Sequence, residues 1–288
     1  MSPFAIKKII VPIDLSHTSL NALDTAVTIA RKHDASLHLL NIIEPGLDVL
    51  MDEYDFHRYH LSNSPDVLTA LAGSIQHANK LKPKIIQAEG NVAETIIKSS
   101  LLHQSDLIVI GTHGASGFRD GFIGSNTYGV LKHSVCPVLT IPPVGKYSAF
   151  KKILFPVRPV SGALMRYDVV SHFLSSQSIM DVLGLSYGKI EPEKNILEKV
   201  IEEIKELLQN DNAKAKSVWG AGLSVAEDVL QYMQATHPDL VIITSVLDVI
   251  TKPGFIGPHT QKIINGSKVP LLSIKKTDTP LTHDRRVI

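Results

Sequence analysis

Five residues carry the chemistry of this chain: Asp14, Gly111, Gly114, Gly124 and Ser125. Gly111 is followed by two residues, Gly114, nine residues, Gly124 and then Ser125. Glycines let a backbone approach an anion closely, and the free N–H groups of a helix's first turn point at it. A carboxylate such as Asp14 accepts hydrogen bonds from hydroxyls or an exocyclic amine, and is poorly placed against a triphosphate. The spacing is not a Walker A loop, which needs Gly-Lys-Ser/Thr at its end. Nor is it the dinucleotide fingerprint, which follows the first strand of its unit. It suits a phosphate held by backbone amides, with no lysine required.

The elements that must position these residues alternate. Lys8 to Asp14 reads as a first strand, and Ser16 can cap a helix with the apolar stripe Leu20, Leu23, Val27 and Ala30. Ser36 to Ile43 is a second strand. Residues 44 to 65 are irregular, broken by Pro45, Gly46 and Pro65, and a helix follows over about 66–80. Lys84 to Ala88 is a third strand. Asn91-Val-Ala-Glu94 has the form of a capping box and opens a helix to about Leu102. Leu107 to Ile110 is a short apolar run that suits a strand buried on both faces. Gly111 ends it, Gly124-Ser125 opens a helix to about Ser134, and Pro137 to Ile141 is a fifth strand. Alternation of strand and helix predicts a parallel sheet with helices on both faces.

The order then repeats. Lys152 to Arg158 echoes Lys8 to Asp14 at an offset of 144 (152 − 8). Ser224-Val-Ala-Glu227 echoes Asn91 to Glu94 at an offset of 133 (224 − 91), and Asp239-Leu-Val-Ile-Ile echoes Asp106-Leu-Ile-Val-Ile at the same offset. Gly254-Phe-Ile-Gly257 matches Gly121-Phe-Ile-Gly124, and Pro270 matches Pro137. Two domains, 1–145 and 146–288, are therefore expected. The second copy is shorter by 11 (144 − 133), with the extra length of the first expected in its irregular 44–65 segment. A helix over about 192–209 is expected to turn Ile196, Val200, Ile204, Leu207 and Leu208 inward, with its Glu/Lys-rich face solvated. The tail after Lys276 is polar and expected to fray.

With the repeat and Asp14, the Gly-x2-Gly-x9-Gly-Ser pattern resembles the universal stress protein family in its ATP-binding branch. The trailing Cys136-Pro137-Val138-Leu139 is similar to that family's last strand. The resemblance implies an α/β fold: two tandem Rossmann-like domains of the adenine nucleotide α-hydrolase type. Each would hold a five-stranded parallel sheet of order 3-2-1-4-5. It implies Asp14 at the adenosine, with Pro12 in the same set, and Gly111 at the ribose. Gly114, Gly124, Ser125 and Asn126 would lie along the phosphates. The end of the second strand, near Ile43, would meet adenine through its backbone. The implied ligand is ATP, or AMP or ADP, with Mg²⁺ as a possible companion. The fifth strands of the two domains would pair as an intramolecular pseudo-dimer, and a homodimer is also possible.

The second copy departs from the pattern. Asp14 becomes Arg158, Gly111 becomes Thr244, Gly114 becomes Leu247 and Ser125 becomes Pro258. Leu247 would crowd a phosphate, and Pro258 removes an N–H from the anion nest. This copy is expected not to bind ATP in the family manner and to serve chiefly as a packing partner. Arg158 is a candidate to meet an anion of a different ligand.

Net charge is +1 over 288 residues, which argues against a general nucleic-acid or membrane surface. Cys136 is the single cysteine, so no intramolecular disulfide forms and a reducing cytoplasm is natural. The Met-Ser-Pro-Phe-Ala start lacks an apolar signal core, and no apolar run is long enough to span a bilayer. Weaker candidates are His57 and His60 as metal ligands, Arg119 and His113 at the phosphates, and His17 at the adenosine. No catalytic or metal residue is assigned. The expected function is nucleotide-dependent stress signalling, at most with slow ATP hydrolysis. Its rivals are a scaffold or dimerisation module with an empty loop, and a true enzyme of the wider group. The enzyme would show Ser-Gly-Gly-x-Asp-Ser or His-x-Gly-His where this chain has Asp-Leu-Ser-His-Thr-Ser.

Overall fold

The computed structural model describes residues 4–46, 59–113, 123–147, 149–159, 167–187, 191–220, 222, 224–244, 247–248 and 256–275. The chain divides into two compact units, Ile6–Ser148 and Met1–Ala5 with Ala149–Ile288. The first five residues thus go with the second unit, where Phe4 packs edge-on against His172 at 5.3 Å between ring centroids.

In the first unit the strands are β1 (Lys8–Pro12), β2 (Ser36–Ile43), β3 (Lys84–Glu89), β4 (Leu107–Gly111) and β5 (Val138–Ile141). They lie in the order β3-β2-β1-β4-β5, and every pairing among them is parallel. The helices are α1 (His17–His33), α2 (Pro65–Asn79), α3 (Val92–Leu102) and α4 (Ser125–His133). Ser16 caps α1, its hydroxyl accepting from Ser19 N–H at 3.2 Å. Asn91 caps α3 through Glu94 N–H, also at 3.2 Å. Helix α1 lies on β1, β4 and β5 and buries Leu23, Val27 and Ala30. Leu20, expected in the same stripe, is instead 36% exposed, because the covered face runs through Thr18, Ser19, Ala22 and Leu23 and leaves Leu20 at its edge. Strand β4 is buried throughout, as its unbroken apolar run requires.

The second unit repeats the order with β6 (Lys152–Val157), β7 (Ile179–Gly184), β8 (Lys214–Trp219), β9 (Leu240–Thr244) and β10 (Leu271–Ile274). Within the unit they run β8-β7-β6-β9-β10, again parallel. Its helices are α5 (Tyr167–Val170, continued by a 3-10 turn Ser171–Phe173), α6 (Glu191–Asn210), α7 (Val225–Thr236) and α8 (Pro258–Gly266). Residues 44–83 join β2 to β3, and residues 185–213 join β7 to β8, which is 11 fewer (40 − 29). The length difference therefore falls between the second and third strands of each unit, as the breakers in 44–65 suggest. Helix α6 buries Leu197, Ile201, Ile204 and Leu208, while Ile196 is 47% exposed. The docked face is thus one residue round from the expected one. The polar tail after Lys276 lies outside the described residues.

Each sheet carries the same clamp at its other end. Asp106, just before β4, accepts the N–H groups of Lys7 and Lys8 at 2.8 and 2.9 Å. Asp239, just before β9, accepts those of Lys151 and Lys152 at 3.0 and 2.9 Å. In each unit one carboxylate satisfies two backbone donors at the start of the central strand.

Candidate functional site

Strands β2, β1 and β4 are neighbours, so their carboxyl ends form one edge of the first sheet. Pro12 and Asp14 stand at the end of β1, Ile43 at the end of β2 and Gly111 at the end of β4. Ligands of open parallel sheets bind beyond this edge.

Asp14 is half-buried, and its Oδ1 accepts from Ser16 N–H at 3.0 Å and from the Ser16 hydroxyl at 2.6 Å. Leu15 between them has φ +56°, the left-handed conformation that this tight turn needs. The same turn that orients the carboxylate therefore also sets the N-cap of α1. Gly111 is held tightly: a Cβ there would lie 2.7 Å from Thr18 Cγ2 and 3.1 Å from the Thr18 backbone. Its glycine has a packing reason independent of any ligand.

Two hydrogen bonds bring the start of α4 back to the end of β4. Gly124 N–H donates to the Thr112 carbonyl at 2.8 Å, and the Thr127 hydroxyl donates to the Gly111 carbonyl at 2.8 Å. Gly124 is the N-cap of α4, and among the described residues no side chain caps that start. Ser125 and Asn126, the first two helical residues, are exposed. This is a helix N-terminus with its dipole and first-turn amides offered at the sheet edge. His113 is half-buried, and its Nδ1 lies 2.9 Å from the Thr112 hydroxyl. Gly114 and Arg119 lie outside the described residues, as does His57. Among the described residues no group of three or more His, Cys, Asp or Glu could hold a metal.

The structure thus brings Pro12, Asp14, Gly111, Gly124, Ser125 and Asn126 to one edge. Ile43 sits there too, but its carbonyl accepts Gly90 N–H at 3.0 Å on the β3 side. On the other side, Ile13 N–H donates to the Leu40 carbonyl at 2.8 Å. Backbone groups alternate along a strand, so those of Ile42, not Ile43, turn toward β1, beyond its last paired residue Pro12. Thr18 and Thr127 help build this edge, and neither carries a local sequence signal for its role.

The equivalent edge of the second unit is built differently. Helix α8 begins after Gly257 with Pro258, which has no N–H to offer. The Asp248 carboxylate accepts the next two amides, His259 N–H at 3.1 Å and Thr260 N–H at 3.2 Å. Gly257 is packed directly against the Asp248 side chain, and Asp248 is only 7% exposed. The helix start that would receive a phosphate already holds a carboxylate of the chain itself. Arg158, at the place of Asp14, donates through Nη1 to the Leu247 carbonyl at 3.1 Å.

Residues 5–142 match the profile of the universal stress protein family. A universal stress protein of Synechocystis sp. is 30% identical over 142 residues, 47% of this chain and 85% of that protein. One from Methanocaldococcus jannaschii is 30% identical over 138 residues, 47% of this chain and 81% of its own length. The crystal structure of a universal stress protein from Archaeoglobus fulgidus superposes over 96% of this chain and 98% of its own. Its TM-score is 0.70 at 20% identity, a likeness of fold.

Proposed function

This chain belongs to the universal stress protein family, and we propose that it is a tandem member of the ATP-binding branch whose first unit alone holds an adenine nucleotide. The observation that carries the reading is the contrast between α8, whose first free amides are taken by Asp248, and α4, where no side chain among the described residues accepts from the first amides. The phosphates would lie at Gly124, Ser125 and Asn126, with Gly114 along the same path and Mg²⁺ as a possible companion. Asp14, oriented by Ser16, would accept from ribose hydroxyls, with Pro12 beside it and Gly111 beneath the ribose. The backbone of Ile42 would meet the adenine edge. Bound nucleotide would then set the conformation or the partners of a cytoplasmic stress-response protein. No helix among the described residues is long and apolar enough to cross a membrane.

A specific observation favours a second reading, a scaffold with an empty loop. Gly111 is required by Thr18, and Asp14 by the turn at Ser16, so both have uses without a ligand. Denaturing protein purified without added nucleotide, and identifying what is released by mass spectrometry, separates the two. About one ATP, ADP or AMP per chain supports the sensor. A clean protein that also ignores added ATP supports the scaffold.

A further inference from the structure

Arg158 follows β6 as Asp14 follows β1, so a cation stands where the first unit has an anion. The residue is half-buried. Among the described residues its one hydrogen bond is to the Leu247 carbonyl, and its Nε is buried without a partner there. A carbonyl dipole does not neutralise a guanidinium, and a half-buried cation whose Nε is out of water favours an anion beside it. The nearby acids are committed elsewhere. Asp228, 4% exposed, accepts from the Tyr187 hydroxyl at 2.7 Å and from Gly222 N–H at 3.1 Å. Asp248 is engaged by the α8 amides. Among the described residues, none forms an ion pair with Arg158.

We propose that the second unit binds a small oxyanion, a carboxylate or a single phosphoryl group, on the Arg158 guanidinium beyond the carboxyl end of β6. The polarity of the first unit's edge is reversed here. The helix start carries its own negative group in Asp248, so a polyphosphate running toward α8 is repelled. The positive group sits where the first unit would hold a nucleoside. A ligand with one negative group near β6 matches this arrangement, and ATP does not. Tyr187, which follows β7, and Gly222, which follows β8, flank the same edge.

The test uses the full chain labelled with ¹⁵N. The Arg158 Nε–H signal and the backbone signals of residues 184–187 are followed while acetate, or separately inorganic phosphate, is added. Sodium chloride at matched ionic strength is the reference. The expected result is a saturable shift with acetate, phosphate or both, above that of chloride. Acetate alone assigns a carboxylate ligand and phosphate alone a phosphoryl one. Arg158→Gln should weaken the shift at residues 184–187 roughly tenfold or more, and Arg158→Lys less. No saturable shift in the wild-type protein overturns the site, and so does a shift that survives Arg158→Gln. These signals belong to the second unit, so failure here leaves the nucleotide site of the first unit untouched.

Discussion

Helices α4 and α8 follow equivalent strands and begin after equivalent glycines, Gly124 and Gly257. They differ in who satisfies their first amides. At α8 a carboxylate from the preceding loop does so, and at α4 no side chain among the described residues does. An internal cap stabilises a helix by removing unsatisfied donors, but it consumes the same donors that would bind an anion. On the same scaffold, therefore, one helix start is satisfied by the chain itself and the other is not satisfied by any described side chain. The helix after the first strand differs as well. Seventeen residues long in the first unit, it presses Thr18 onto Gly111. In that connection the described residues of the second unit hold α5 and a 3-10 turn, and Thr244 stands at the place of Gly111.

The largest effect is expected where the units are alike. Asp106→Ala strands two backbone donors beneath a buried carboxylate and should cost the first unit about 3 kcal/mol. Asp239→Ala, at the more exposed copy of the clamp, should cost the second about 1 kcal/mol. Denaturant unfolding followed by hydrogen exchange reads the first unit. The fluorescence of Trp219, the single tryptophan, reads the second. Equal costs would mean that burial does not set the worth of the clamp.

Next comes Gly111→Ala, which forces Thr18 and the start of α1 to move and should cost about 2 kcal/mol. Thr244→Val is its counterpart. The Thr244 hydroxyl is buried with no partner among the described residues, so its removal should leave the second unit's melting unchanged or slightly raised. A harmless Gly111→Ala would break the contrast.

Asp248→Ala should destabilise the second unit by about 1 kcal/mol, the worth of a helix cap. It should not restore ATP binding, because Arg158, Leu247 and Pro258 remain. ATP binding gained by Asp248→Ala would show that the carboxylate alone closes the edge.

The smallest effect is one of pH. His38 pairs with Ile10 in β1, and Asp181 pairs with Leu154 in β6, at the same place in each sheet. Burial, then the charges of His103, Lys84 and Lys8, push His38 down to about 4. Between its ordinary 6.5 and about 4, the unfolded chain binds a proton that the folded unit does not. The first unit should therefore lose stability as pH falls through that window. His38→Leu should flatten the profile. Burial and the bond to Asp181 push Tyr232 up to about 12, so the second unit should lose stability instead as pH rises from 10 toward that value. Parallel profiles for the two units would contradict both assignments.

Much of this was legible in the sequence, because periodicity and caps are local. Ser36–Ile43 is a strand and Asn91 caps α3 as their residues predict. Gly111 ends β4 for the same reason. What escaped depended on docking. Helix α6 has apolar residues at 196 and 197, 200 and 201, and 207 and 208, so two stripes overlap and only packing selects Leu197 and Ile201. Asp248 caps amides 11 and 12 residues further along, too far for a capping pattern to announce. Ile42 differs from Ile43 by strand parity, which needs the register with β1.

Calorimetric titration of the full chain with ATP, with and without Mg²⁺, tests the central claim most directly. The wild-type protein should bind one ATP per chain. Gly124→Val with Ser125→Pro, which blocks the α4 start, should bind at least about a hundredfold more weakly. Asp248→Ala should bind as the wild type does. No binding by the wild type, two sites per chain, or binding that survives the α4 substitutions would contradict the assignment of the nucleotide to the first unit.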